Sequence, residues 1–205
     1  MNLEYYSFLL YKLRRRRLLA SLKEIKKSFF SLSQKEQENI LKEIYSFSKD
    51  VKEFMNVRLL GDGEEIFIEQ MKKVTQSSTP SGTPKMIKVA NVNSVLNKAK
   101  KSKVNEETLC TLQWYAFDGY ITFLDDYGGG PESYENKADE HFKNYLLLLF
   151  KTSTNKKKLQ EELYGIENYL NDHNNMNNEY LWEIYEEITF KNYSLFTNLI
   201  FYSTQ

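Results

Sequence analysis

The side chains that could do chemistry gather between residues 118 and 141, where acidic residues and a histidine recur. Asp118 and Asp125 are seven positions apart, so a helix would place both carboxylates on one face, with Asp126 directly after them. The next predicted helix adds three candidates, Asp139, Glu140 and His141. If that helix folds back antiparallel, the oxygen-rich cluster could hold Mg²⁺, Mn²⁺ or Ca²⁺. One hypothesis for the function is therefore an enzyme with a carboxylate metal site.

The same acids also have a structural interpretation, in which they lie at helix ends facing water and Asp118 bonds a neighbouring Tyr or Lys. The E-x-x-H and H-E-x-x-H spacings do not occur, and the glycines at 128–130 lack the G-K-[ST] of a phosphate-binding loop. Cys110 is the single cysteine, and no local motif ties it to a histidine. It is predicted to be a buried thiol in a reducing, cytoplasmic compartment. The favoured interpretation assigns no catalytic residue, no metal ligand and no cofactor.

The element that must position these side chains is a predicted helix over Leu109–Tyr127. It is apolar nearly all round, which places it in the middle of a domain with other helices packed against several of its faces. Gly (8) and Pro (3) are scarce in the 205 residues, which argues against an all-β fold because turns consume both. We predict an all-α fold of about eight helices, arranged as an irregular helical bundle or a stack of antiparallel helical hairpins.

The other helices are predicted from apolar spacing and capping residues. A helix over residues 3–30 is followed by Ser33, which forms a capping box with Glu36 and starts a second helix reaching Leu60. The second helix carries one apolar stripe at steps of four and three, formed by Ile40, Ile44, Phe47, Val51, Phe54 and Arg58. A third helix is predicted to start at the cap Asp62.

The clearest linker is Thr75–Pro84, TQSSTPSGTP, which has two prolines and no apolar anchor. It could be a domain boundary, but each half would then have only a small core. We therefore predict a mobile loop at residues 75–84 within one helical bundle that spans residues 1–150. A C-terminal helical pair, residues 151–205, is predicted to pack on this bundle.

Two stretches resemble a known protein family. They are KEIYSFSKDVKEFMNVRLLGD, over Lys42–Asp62, and LQWYAFDGYITFLDDYGGGPESYENKADEHFKNYLLLL, over Leu112–Leu149. The first has a K-E-V-K-E-F-like helix before Arg58-Leu59, and the second has an aromatic, acidic helix ending in a D-Y-G turn at Asp126–Gly128. Both resemble a family of small all-helical bacterial proteins known only as a domain of unknown function, and the resemblance spans Leu18 to Leu149. It implies an all-helical fold and brings no activity.

Charge is balanced overall but separated along the chain. There are 28 basic and 28 acidic side chains, yet residues 12–27 and 85–103 are strongly basic, whereas residues 159–190 contain no Lys or Arg. The basic segments suggest a nucleic-acid-binding protein. The candidate contacts are Arg14, Arg15, Arg16, Arg17, Lys98, Lys100, Lys101 and Lys103. Alternatively, the basic segments are solvated helix faces. A further alternative is that the acidic helices pack near the basic segments, so that their electrostatic fields cancel.

The C-terminal segment is rich in large apolar side chains close to the end of the sequence. These candidates for partner binding are Leu195, Phe196, Leu199, Ile200 and Phe201. So contiguous a patch needs a covering surface, which could be this chain, a second copy or another protein. No stretch approaches the ~20 apolar residues of a membrane span. The leading prediction is a non-catalytic helical interaction or adaptor module, binding a protein partner or itself and no membrane.

Overall fold

The computed structural model describes residues 19–61, 63–173 and 178–203, with side chains as far as Asn192. Within these residues there are nine α-helices, one short π-helix and no strand, so the predicted all-α fold is confirmed. The α-helices are α1 Leu22–Phe30, α2 Gln34–Phe47, α3 Lys49–Met55, α4 Glu65–Thr75, α5 Val89–Ser102, α6 Glu106–Tyr127, α7 Glu132–Thr152, α8 Lys156–Asp172 and α9 Asn178–Ser203. The π-helix, Asn56–Leu60, follows α3 directly.

The chain divides into two compact units, Met1–Lys52 and Glu53–Gln205. The predicted arrangement, a bundle over residues 1–150 with a C-terminal helical pair at 151–205 packed on it, stays a prediction. Helices α8 and α9 belong to the second unit because their apolar side chains join its single hydrophobic core. The buried residues that they contribute are Leu159, Leu163, Ile166, Leu170, Leu181, Tyr185 and Ile188.

Helices α1 and α2 of the first unit each begin with a complete capping box. The predicted box is confirmed, because the Glu36 amide donates to Ser33 Oγ and the Ser33 amide donates to Glu36 Oε2, at 3.4 and 2.8 Å. An equivalent box at Ser21 and Glu24 starts α1 and was not predicted. Each box satisfies backbone N–H groups that would otherwise lack a partner at the helix start.

The prediction of one continuous helix from Ser33 to Leu60 is wrong. Helix α2 ends at Phe47, and Ser48 has an extended backbone with φ −158° and ψ 161°. The Val51 amide then donates to Ser48 Oγ at 3.2 Å, which helps to start α3. The apolar stripe is therefore broken at Ser48. Gly61, with φ 71°, closes the π-helix in the left-handed conformation that glycine accommodates best.

Helix α6 is the centre of the second unit, as the apolar sequence of this stretch predicts. It has 22 residues and packs against α4, α5 and α7. Five of its side chains have no exposed surface: Leu112, Ala116, Phe117, Tyr120 and Ile121. The inner face of α7 is also buried, and it consists of Ala138, Phe142, Tyr145 and Leu149. Asn105 caps α6 by accepting a hydrogen bond from the Thr108 amide at 2.7 Å.

The crossing of α4 and α6 depends on a glycine. A Cβ atom at Gly119 would lie 2.4 Å from the Thr75 Cβ and 2.8 Å from the Thr75 carbonyl oxygen. Such distances are well inside van der Waals contact, so only glycine lets the two helices approach this closely. Thr75 itself donates from Oγ1 to the Met71 carbonyl at 2.9 Å, which fixes the side chain against α4.

The segment after α4 forms a hydrogen-bonded turn. Ser78 and Pro84 form an isolated antiparallel bridge, and the Lys85 amide donates to the Ser77 carbonyl at 2.7 Å. Ser77 is buried and donates from Oγ to Asp126 Oδ2 at 3.0 Å, which ties the segment to the end of α6. The predicted loop at residues 75–84 thus has a defined path, and its mobility stays a prediction.

Candidate functional site

The predicted acidic cluster is divided among separate structural partners. Asp118 accepts a hydrogen bond from Tyr169 Oη at 2.7 Å, which is the bond to a neighbouring tyrosine that the structural interpretation anticipated. Asp125 Oδ2 lies 3.7 Å from His173 Nε2, and Asp126 accepts from Ser77. No group of three His, Cys, Asp or Glu residues that could hold a metal ion occurs among the described residues.

The acids and the histidine of α7 point to different surroundings. Glu140 pairs with Lys137 one helical turn away, and this lysine lowers the pKa of the Glu140 carboxyl. Asp139 is only half-buried, whereas the neighbouring His141 is 2% exposed. His141 therefore does not join the acids, because its ring faces the interior of the bundle.

The surroundings of His141 keep its ring neutral. Its Nδ1 lies 2.7 Å from Gln113 Oε1, which can only accept, so Nδ1 carries the proton. The ring is stacked on Tyr120 at 5.9 Å between centroids. Burial lowers the pKa of His141 to about 4, despite the opposing effect of Glu140. His141 Nε2 and Tyr120 Oη are buried, and within the described part of the chain neither has a hydrogen-bond partner.

Cys110 is a buried thiol, as predicted. Its Sγ donates to the Tyr145 carbonyl at a distance of 3.7 Å. Burial, followed by the negative charges of Glu162 and Glu107, raises the pKa of the thiol to about 12. Since the thiolate and not the thiol is the nucleophile, this cysteine is unreactive at neutral pH.

An open cleft of about 610 Å³ lies between α6, α7 and α8, directly over Cys110. Four aromatic rings line it, from Trp114, Tyr115, Tyr145 and Tyr169. Charged side chains at the cleft are Glu107, Glu162 and Lys158, and small polar side chains are Thr111, Thr152, Ser153, Thr154 and Asn155. Gly165 of α8 also faces the cleft and leaves open space there.

The four rings form the aromatic wall of this cleft, and contacts with neighbouring side chains fix their positions. The ring of Trp114 lies 4.9 Å, centroid to centroid, from both Tyr145 and Tyr169. Tyr169 is fixed by its hydrogen bond to Asp118 and by its stacking on His173 at 3.9 Å. Trp114 lies in the stretch Leu109–Tyr127, which is predicted to be apolar nearly all round and packed on several faces. The partial exposure of this ring was the missed feature, and it depends on α7 and α8, which are distant in sequence.

The candidate nucleic-acid contacts are only partly within the described residues. Arg14, Arg15, Arg16 and Arg17 lie outside them. Lys100 and Lys101 are exposed on α5, and Lys98 is half-buried. Lys103 is exposed and ends the helix with φ 56°, a conformation uncommon for a residue with a side chain. Nucleic-acid binding stays a prediction.

The candidate partner-binding residues at the C-terminus lie in α9, whose backbone continues to Ser203. The side chains of Leu195, Phe196, Leu199, Ile200 and Phe201 lie outside the described residues. Earlier in α9, Leu181, Tyr185 and Ile188 are buried against the core. Of the helices that the described residues form, none has the length and apolar character required to cross a membrane.

Comparison of the chain with protein-family models, with curated proteins and with solved structures gives no match. The resemblance to an uncharacterised helical family therefore stays a prediction. Two features of this chain bear on its function, the exposed helices α1 and α2 of the first unit and the aromatic cleft of the second.

Proposed function

We propose that the chain is a non-catalytic helical interaction module, in which helices α1 and α2 bind a helix of a partner protein. The single observation that carries this proposal is the exposure of their apolar side chains. Neither helix, both of which lie wholly in the described part, contains a buried residue. The exposed side chains, with their exposed fractions, are Leu22 67%, Ile25 53%, Phe30 72%, Leu41 47%, Ile44 46% and Phe47 85%.

The spacing of the apolar residues fits a helical partner. Apolar residues follow each other at steps of three and four in α1 and at steps of four and three in α2. They are Leu22, Ile25 and Phe29 in α1, and Ile40, Ile44 and Phe47 in α2. Phe29 and Ile40 are half-buried, and the other four are exposed. This alternation keeps apolar side chains on a narrow seam, which is the surface that a second helix covers in coiled-coil packing.

The lengths of α1 and α2 also support a covering surface. They have 9 and 14 residues, and isolated helices of about 12–15 residues are marginal in water. The capping boxes stabilise their starts, but caps contribute only about 1 kcal/mol each. Burial of one large apolar side chain contributes roughly 1.5–3 kcal/mol, so covering the seam would stabilise both helices well beyond their local hydrogen bonds.

The proposal is non-catalytic because the reactive side chains are committed to packing. Cys110 is a protonated thiol, His141 is a neutral buried ring, and Asp118 holds Tyr169. The interaction face lies elsewhere, in the first unit. The C-terminal residues of α9 stay a second predicted surface for a partner or a second copy.

The test is site-specific photo-crosslinking of the full chain. A photoreactive phenylalanine analogue replaces Phe47 in one variant and Lys42 in the control, which is exposed on another face of α2. We expect a discrete adduct with a partner protein from position 47 and not from position 42, whereas an adduct with a second copy alone would contradict a partner of another kind. Equal or absent adducts from both positions would contradict the proposal.

A binding measurement then quantifies the same contact. With the crosslinked species purified as partner, Phe47→Lys should weaken the complex at least about tenfold, since losing one buried aromatic side chain exceeds 1.4 kcal/mol. Lys42→Gln is the matched control and should leave the affinity within about twofold, as expected for an exposed charge.

A further inference from the structure

We propose that the cleft between α6, α7 and α8 binds a small organic cation, whose ammonium or guanidinium group lies against the aromatic wall beside Glu107 and Glu162. The cleft belongs to the second unit, since all its lining residues fall between Glu107 and Tyr169, and it does not include α1 or α2. A volume of about 610 Å³ is within the range of natural small-molecule sites.

The aromatic rings that line the cleft can attract a cation. Trp114, Tyr115 and Tyr169 are half-buried residues that line the cleft. The face of an aromatic ring carries negative partial charge and attracts cations, most strongly for tryptophan. Tyr115 already binds one cation in this way, because Lys72 Nζ lies 5.0 Å from its ring centroid.

The charged side chains that line the cleft also favour a cation. Glu107 and Glu162 both line it, and both act on the buried Cys110 thiol by raising its pKa. Burial raises the pKa of the Tyr145 hydroxyl, and Glu162 adds to this shift. Lys158 lies one turn before Glu162 on α8 and offsets one of the two carboxylates, so the three charged lining residues leave one net negative charge.

Several hydroxyl groups that line the cleft can serve a ligand as hydrogen-bond acceptors. Three lining hydroxyls already donate their protons to helix carbonyls: Thr111 to Glu107 at 3.1 Å, Thr152 to Leu148 at 2.9 Å and Ser153 to Leu149 at 2.6 Å. A hydroxyl whose hydrogen is already engaged in one hydrogen bond can only accept a hydrogen bond from a ligand. These three hydroxyls therefore suit a ligand that is rich in hydrogen-bond donors and carries positive charge.

The experiment uses tryptophan fluorescence with choline as the probe. The chain has two tryptophans, and Trp182→Phe on α9 leaves Trp114 as the only reporter. Choline is compared at constant ionic strength with 3,3-dimethyl-1-butanol, its neutral carbon isostere. We expect a saturable change with choline and none with the isostere. Calorimetric titration of the unchanged chain with choline repeats the measurement without any substitution.

Charge substitutions on α8 sharpen the assignment because they have opposite predicted signs. Glu162→Gln should weaken choline binding and Lys158→Gln should strengthen it, each by about two- to fivefold, as expected for exposed charges at close range. Both residues are exposed, so neither change should alter the folded structure. Equal effects of the two substitutions would contradict the placement of the cation beside Glu162.

A blocking substitution tests the location. A Cβ atom at Gly165 meets nothing within 4 Å, so Gly165→Leu adds a side chain inside the cleft without a clash. We expect this variant to fold and to lose the choline response. Asn168→Leu is the matched control, since Asn168 is exposed on α8 outside the lining. No saturable choline binding to the unchanged chain, an equal response to the isostere, or unchanged binding in Gly165→Leu would overturn the proposal.

Discussion

Helices α1 and α2 have complete capping boxes and no buried side chain, whereas three helices of the second unit have the reverse combination. Helices α4, α5 and α7 begin without any side-chain cap hydrogen bond, and each buries several residues in the core. The comparison separates two sources of helical structure. Local hydrogen bonds define the ends of α1 and α2, while burial of apolar surface defines the helices around α6.

This difference implies different roles for apolar residues in the two regions. In the second unit they determine the free energy of unfolding, because they fill a close-packed interior. In α1 and α2 none of them is buried and most are exposed, so their substitution should alter association more than folding. The predictions below compare matched substitutions in the two regions.

The largest expected difference is between two phenylalanines. Phe117 is fully buried and stacks on Phe142 at 4.6 Å, whereas Phe47 is 85% exposed. Phe117→Ala should lower the free energy of unfolding by roughly 3–5 kcal/mol because it leaves a cavity. Phe47→Ala should change it by less than about 0.5 kcal/mol, as is usual at exposed positions. Urea denaturation of both variants measures the two values, and similar losses would remove the distinction between the regions.

Acid should destabilise the second unit through His141. Its folded-state pKa of about 4 lies below the ordinary 6.5, so the unfolded state binds the extra proton. The stabilising contribution is complete above pH 6.5 and is lost as pH falls toward 4, by about 3 kcal/mol in total. Urea denaturation across this window measures the slope. His141→Gln should flatten it, and an unchanged slope would show that His141 is not the group responsible.

Substitution of Gly119 tests the close approach of α4 and α6, and substitution of Gly165 is the control. Gly119→Ala should lower the free energy of unfolding by roughly 1–3 kcal/mol, since the new Cβ would overlap Thr75. Gly165→Ala, at a helical glycine with open space around it, should instead stabilise the chain by up to about 1 kcal/mol. Thermal unfolding of both variants checks the opposite signs, and a neutral Gly119→Ala would contradict the crossing geometry.

The smallest expected effect concerns the caps. Ser33→Ala removes the side chain that accepts from the Glu36 amide, and it should destabilise α2 by about 1 kcal/mol. Because α2 buries no side chain, we expect this loss in local helix content and not in the unfolding midpoint of the second unit. Circular dichroism measures the first quantity and tryptophan fluorescence the second, since Trp114 and Trp182 both lie in the second unit.

The sequence predicted most of what depends on neighbouring residues. The all-round apolar character of α6 and the Ser33 capping box both follow from local pattern, and both are confirmed. The break at Ser48 was missed because the apolar spacing runs through it without interruption. A single extended residue changes the direction of the chain without changing that pattern.

The candidate site could not be predicted, because it depends on residues that are distant in sequence. Tyr169 meets Asp118 from 51 positions away, and His141 meets Gln113 from 28 positions away. The acids between residues 118 and 141 looked like a cluster because they are close in sequence, but Asp118, Asp125 and Asp126 contact three different residues. The cleft exists only once α6, α7 and α8 pack together, which no local pattern specifies.

Native-state amide hydrogen exchange of the full chain tests the contrast between the two regions most directly. Amides of α6 should exchange only through global unfolding, because this helix is buried on nearly every side. Amides of α1 and α2 should exchange through local opening, with protection factors lower by roughly a hundredfold or more. Protection of α1 and α2 equal to that of α6 would contradict the account, because it would show that these helices are already packed in the isolated chain and not available to a partner.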